Sequence, residues 1–132
     1  MAKKDIIDRN DIILLVDSFY QKVQQNNIIG HIFNQVVQVD WLHHLPKMYD
    51  FWESILFGKA TYKGNPMLTH FDINKKAALK TEEFDAWKRL FFDTVDELFA
   101  GENAEIIKQK AQSIADLMHF KINTHNSKIN IV

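Results

Sequence analysis

Cysteine is absent from the chain. That excludes a disulfide framework, thiolate metal sites and a cysteine nucleophile, and leaves the redox compartment open. Glycine and proline are scarce, with 4 and 2 in 132 residues, too few for an all-β sandwich with its many tight turns. No sign of charge dominates: 16 Lys and Arg stand against 17 Asp and Glu, a formal net charge of -1, so no basic excess draws in nucleic acid or an anionic membrane. Long apolar runs are missing too. The longest aliphatic stretch, Ile12 to Val16, is far too short to span a bilayer. The first residues enter a mixed charged stretch without an apolar leader core, so a secretory signal is not expected. The expectation is a cytoplasmic protein without membrane or nucleic-acid partners, either a monomer or a weak dimer.

What is present is helical patterning. At 132 residues with 46% hydrophobic and 12% aromatic side chains, the chain is one domain able to bury roughly two-thirds of its unfolded surface. Ile12, Leu15, Val16, Phe19, Tyr20 and Val23 form one apolar stripe, with Asn10 or Asp11 available as a cap. Ile28 to Phe33, which contains Gly30, reads as a turn or a single helical turn. Leu45, Met48, Phe51, Trp52, Ile55 and Leu56 mark a second stripe, capped by Asp40 and stopped by Gly58, with Pro46 close to its start. Residues 58–66 form a loop, Met67 to Phe71 a short apolar element, and Lys75 to Lys80 a connection. Thr81 opens a helix carrying Phe84, Trp87, Phe91, Val95 and Leu98, stopped by Gly101. The last stripe is Ile107, Ala111, Ile114, Met118 and Ile122. The spacing predicts a single all-α domain over residues 1–132, with 1–9 and 123–132 as frayed tails.

Six histidines are present, none paired at i, i+4, so a two-histidine zinc face is missing. There is no phosphate loop and no nucleophile elbow. The unusual feature is where histidines and aromatics meet. His44, Met48, Phe51, Trp52 and Ile55 share one helical face. Tyr20 and Trp87 lie on apolar stripes, and His70 stands alone in Met67-Leu68-Thr69-His70-Phe71. Each has an ordinary reading when taken singly. Tyrosine or tryptophan on a stripe belongs to the core, with its polar tip at a carbonyl or the surface, and His44 beside His43 is a helix-start residue.

Taken together, these residues resemble a known family. Asp40-Trp41-Leu42-His43-His44-Leu45-Pro46-Lys47-Met48-Tyr49-Asp50-Phe51-Trp52 is similar to the distal helix of group III truncated haemoglobins. Tyr62-Lys63-Gly64-Asn65-Pro66-Met67-Leu68-Thr69-His70 is similar to their proximal-histidine segment. Phe84-Asp85-Ala86-Trp87-Lys88-Arg89-Leu90-Phe91 and Phe19-Tyr20 complete the match, in family order, over about residues 12–122. The glycine pairs that mark other truncated groups are not evident. The resemblance implies a compact truncated globin fold, a helical sandwich around haem b. It makes His70 the proximal iron ligand and places Tyr20, Trp87 and His44 in the distal pocket. Whether His44 or His43 turns inward depends on where Pro46 lets the helix start. Phe33, Met48, Phe51, Trp52, Met67 and Phe91 are expected against the cofactor, with Tyr62 and Lys63 at its propionates.

The function so implied is binding of oxygen, NO or CO at a histidine-ligated iron. NO or oxygen detoxification is an extension that requires a reductase partner, and no residue pattern establishes turnover. The alternative is a haem-free helical bundle acting as an interaction or sensor module, with the same stripes as plain core. A non-haem iron or zinc enzyme lacks a clustered ligand set.

Overall fold

The computed structural model describes residues 3–37, 39–60 and 62–131, and every regular element among them is helical. The elements are α1 (Arg9–Gln25), a π-helical turn (Ile32–Val36), α2 (Trp41–Phe57), α3 (Pro66–Lys76), α4 (Thr81–Leu98) and α5 (Glu102–Ile131). α1 packs against both α2 and α4, and α4 against α5, which builds the two-layer helical sandwich. Among the described residues no helix is long and apolar enough to cross a membrane.

The α1 stripe is buried as the period requires: Ile12, Leu15, Val16, Phe19, Tyr20 and Val23 all face the core. Burying each such side chain contributes about 1.5–3 kcal/mol. The cap lies earlier than Asn10 or Asp11, because the Asp8 carboxylate accepts the Asp11 N–H at 3.1 Å. Asp11 instead accepts from Ile7 N–H and from Lys4. α1 is locked to α2 by charge as well as packing. The buried carboxylate of Glu53 is met by Arg9 at 3.1 Å and Lys59 at 3.8 Å, and Arg9 also reaches Asp50 at 2.9 Å.

Two glycines turn the chain, Gly30 for lack of space and Gly58 for its left-handed backbone. A Cβ on Gly30 would lie 2.9 Å from the Gln24 carbonyl oxygen and 3.0 Å from that of Val23, so only glycine allows the close return beneath the end of α1. Immediately afterwards the chain winds into the π-helical turn, closed by Val37 N–H to the Ile32 carbonyl at 2.8 Å and pinned to α1 by the Asn34 amide on the Gln24 carbonyl. Gly58 ends α2 with φ 70° and returns its N–H to Ser54. Pro46 sits in the second turn of α2, after a first turn that begins at Trp41.

Three elements differ from the sequence reading. The short apolar piece at Met67 to Phe71 is a full helix, α3, extending to Lys76. Residues 4–6 are not a loose tail: Ile6 is fully buried, Ala100 N–H donates to the Lys4 carbonyl, and the Asp5 carboxylate accepts Asn103 and Ala104 N–H at 2.9 and 2.8 Å, capping α5 from outside that helix. α5 continues through Asn123 to Ile131, although no apolar period marks that stretch. Met1, Ala2 and Val132, also assigned to the tails, lie outside the described residues.

Candidate functional site

A cavity of about 610 Å³ opens between the π-helical turn and the five helices. Its walls are mainly apolar. α2 supplies Met48, Phe51 and Trp52, α4 supplies Phe84 and Trp87, and α5 supplies Ile114, Ala115 and Met118. Into this lining project a few polar groups: Tyr20 from α1, His44 from α2, His70 from α3, and Tyr62 with Lys63 from the loop before α3. Large apolar walls with a few convergent polar groups are the usual form of a cofactor site.

His70 is oriented by its own helix. Its Nδ1–H donates to the Pro66 carbonyl oxygen at 2.6 Å, one turn earlier. This fixes the tautomer and leaves the Nε2 lone pair free. Burial pushes the His70 imidazole below its ordinary pKa, and the bond to Pro66 opposes that only partly, so the ring is neutral near pH 7.

Another part of the wall gathers the remaining polar groups. The Tyr20 and His44 rings meet edge to face with centroids 5.3 Å apart. Burial pushes the Tyr20 phenol well above its ordinary pKa, keeping its O–H as a donor. His44 is lowered by burial first, then by the positive charge of Lys47 and by His70. Its Nε2 is buried without a hydrogen-bond partner, and among the described residues the one other such side-chain atom is Glu83 Oε2. Both residues line this cavity. Since buried polar atoms are nearly always satisfied, two orphans in one cavity fit a site built for a bound group.

The alternative between the adjacent histidines is resolved by their helix positions. His43 points outward, 75% exposed, and its Nδ1 pairs with Asp40 at 2.6 Å. Asp40 therefore spends its side chain on His43 rather than on capping α2. His44, one residue on, turns into the cavity.

Tyr20, Phe33, His44, Met48, Phe51, Trp52, Tyr62, Lys63, His70 and Trp87 all line the cavity. Two expected cofactor contacts do not. Phe91 is fully buried behind the wall, stacked on Trp87 at 5.3 Å and Trp52 at 4.7 Å, because the turn of α4 after Trp87 runs into the core. Met67 packs half-buried against the core. On α3 the cavity row is Pro66, Thr69, His70 and Ile73, whereas Met67 shares its row with Phe71 and Asn74, whose side chains meet α5.

Among the site residues that escaped the sequence reading are Lys47 and Trp41, along with Glu83 and the α5 wall of Ile114, Ala115 and Met118. Lys47 lines the cavity three residues beyond His44, a spacing that places both on one helical face. Trp41, three residues before His44, stacks on Phe33 at 6.0 Å and touches the Tyr20 and His44 rings at 5.3 and 5.7 Å. Among the described residues no cluster of three or more His, Cys, Asp or Glu is placed to hold a bare metal ion.

The residues present suit haem. The mainly apolar cavity has room and lining suited to a porphyrin, His70 offers one neutral nitrogen, and Lys47, Lys63 and the Tyr62 hydroxyl are suited to its carboxylates. The sequence matches the bacterial-like globin family over residues 5–123. It is 31% identical over 122 residues to the group 3 truncated hemoglobin of Campylobacter jejuni, covering 90% of this chain and 92% of that protein. The fold superimposes on a crystal structure of group III truncated hemoglobin from Campylobacter jejuni with a TM-score of 0.79 and 30% identity, covering 91% of this chain and 94% of that one. An all-helical sandwich, a cavity suited to haem and these likenesses over nine-tenths of the chain lead to one conclusion: the chain belongs to the bacterial-like globin family, in group III of the truncated haemoglobins.

Proposed function

We propose that the chain binds haem b in this cavity through His70 and uses it to bind oxygen and other diatomic ligands such as NO and CO. The observation that carries the reading is the committed Nδ1 of His70. With that nitrogen held by Pro66 at 2.6 Å, Nε2 is the one available for iron, in the orientation expected of a haem-ligating histidine. Haem, when bound, supplies an iron that takes up a diatomic gas and shifts electron density onto it.

The chain answers that charge with neutral donors. The Tyr20 O–H remains protonated because burial raises its pKa, and Trp87 offers an indole N–H from α4. His44 adds a neutral imidazole whose Nε2 has no other partner. Donors held in a cavity with little water stabilise developing negative charge without reorganising. Each such hydrogen bond contributes about 1 kcal/mol or more, roughly fivefold in the release rate of a charged ligand. Slow release suits sensing or reaction better than bulk oxygen storage. NO or oxygen detoxification at this site extends the same reading, with an external reductase supplying electrons.

An absorption spectrum tests this directly. Protein produced with haem supply is expected to show a haem band that shifts when the reduced form meets CO. Absence of such a band, even after reconstitution with hemin, overturns the proposal. His70→Ala is expected to abolish five-coordinate haem binding while leaving helical content largely intact; an unchanged haem spectrum would move the ligand elsewhere.

A further inference from the structure

α3 carries the proposed iron ligand, yet none of its described residues is buried, and it packs principally on α5. The contact is made by the C-terminal part of α5, the stretch that lacks an apolar period. There His125 meets the Phe71 ring at 5.3 Å, and Asn126 accepts a hydrogen bond from Asn74 at 2.8 Å. Asn74 stands one turn beyond His70. Its Oδ1 accepts the Leu79 N–H at 2.9 Å, in the connection leading to α4. That bond decides the orientation of the Asn74 amide, so its Nδ2 must donate and Asn126 must present its oxygen.

We infer that Asn74 and Asn126 are a positioning pair that holds the His70 helix against the end of α5 and thereby sets the geometry of the bond that His70 forms to the haem iron. The inference rests on the reading of His70 as ligand. One carboxamide ties together three parts of the molecule: the ligand helix, the connection to α4, and α5. A helix in which no described residue is fully buried has little of the close packing that fixes the rest of the fold, so a part-buried polar anchor decides where its histidine stands. The pair also accounts for the continuation of α5 past Ile122, the last fully buried of its described residues, to the level of Asn126.

The test uses ferrous haem-loaded protein and reads the iron–histidine stretching band by resonance Raman, together with haem transfer to excess apomyoglobin. Asn126→Ala is expected to shift and broaden the band and to speed haem loss about fivefold, the change expected of one net hydrogen bond. Asn126→Asp keeps the accepting oxygen and is expected to stay close to the parent protein on both readouts. Asn126→Gln displaces that oxygen by one methylene. It carries the expectation of Asn126→Ala should that variant yield no haem-loaded protein. Adding Asn126→Ala to Asn74→Ala is expected to change nothing further, since the two residues share one contact.

A purely structural role would lower the melting temperature without moving the band, and that result overturns the inference. If His70→Ala keeps an iron–histidine band, the ligand assignment fails and this inference with it. If His70→Ala loses the band while Asn126→Ala leaves it unchanged, the positioning pair alone is refuted.

Discussion

α1 and α3 each place one polar side chain in the same cavity, Tyr20 and His70, but the two helices are held in opposite ways. α1 buries Ile12, Leu15, Val16, Phe19 and Val23 almost completely, and its partner α2 is joined to it through Arg9, Asp50 and Glu53. α3 buries none of its described residues and relies on α5 through Phe71 and Asn74. Dense packing fixes the place of Tyr20, and on the proposed reading that sets the distance from its O–H to a small ligand. The described residues of α3 are only partly buried or exposed, so hydrogen bonds carry more of the placement of His70. The difference teaches that the walls of one cavity are held by different means: apolar packing fixes α1, and polar contacts fix α3.

The sharpest way to break this comparison is at the packed wall. On α1, Phe19→Ala removes the buried ring that meets Tyr20, Trp87 and Phe91 and is expected to destabilise the protein by about 3–5 kcal/mol, measured by urea unfolding. On α3, the half-buried Ile73→Val is expected to cost under about 1 kcal/mol in the same assay. Equal losses at the two positions would remove the contrast.

A change of intermediate size comes from the Asp5 cap. Burial works to raise the Asp5 carboxyl, but hydrogen bonds from the Asn103, Ala104 and Ile6 N–H groups outweigh it and hold its pKa below the ordinary 3.8. Its stabilisation is therefore complete above that ordinary value and is lost as pH falls through the lowered folded value. Asp5→Asn replaces one of the two accepting oxygens by an NH2 that cannot accept and removes the charge, so it is expected to lower stability by about 1 kcal/mol at pH 7. The gap from the parent protein should close as pH falls below about 4; a pH-independent gap would remove the linkage.

Similar in free energy for each donor, but specific to function, is the donor pair. On the proposed reading, Tyr20→Phe speeds oxygen release from the ferrous protein by roughly fivefold or more in stopped-flow measurements. Trp87→Phe acts in the same direction. The double variant is expected to fall short of the product of the two effects, because both donors address one ligand. Release unchanged in Tyr20→Phe would remove that hydroxyl from the network.

The legibility of the sequence follows the same division. The stripes of α1 and α4 were readable because a helix buried along one face must repeat its apolar residues every three or four positions. α3 was readable only as a short piece, since a helix whose described residues are at most half-buried has little period to show. Trp87, His44 and Tyr20 stood out as polar-tipped groups on apolar faces. Lys47 did not, because a lysine on an exposed turn looks the same whether or not a cavity lies beside it. Phe91 and Met67 were assigned to the cofactor because spacing identifies the face of a helix but not how far along its length a cavity extends.

By itself the sequence determined an all-helical chain, the faces its longer helices bury and the set of polar groups available to a cofactor, because these depend on local period and side-chain chemistry. Only the tertiary structure decided that His44 rather than His43 enters the cavity, that Phe91 stands behind its wall, and that Asp5 caps a helix starting 97 residues later. Each of these depends on where distant segments meet. The period of one helix carries no information about the distance to the next.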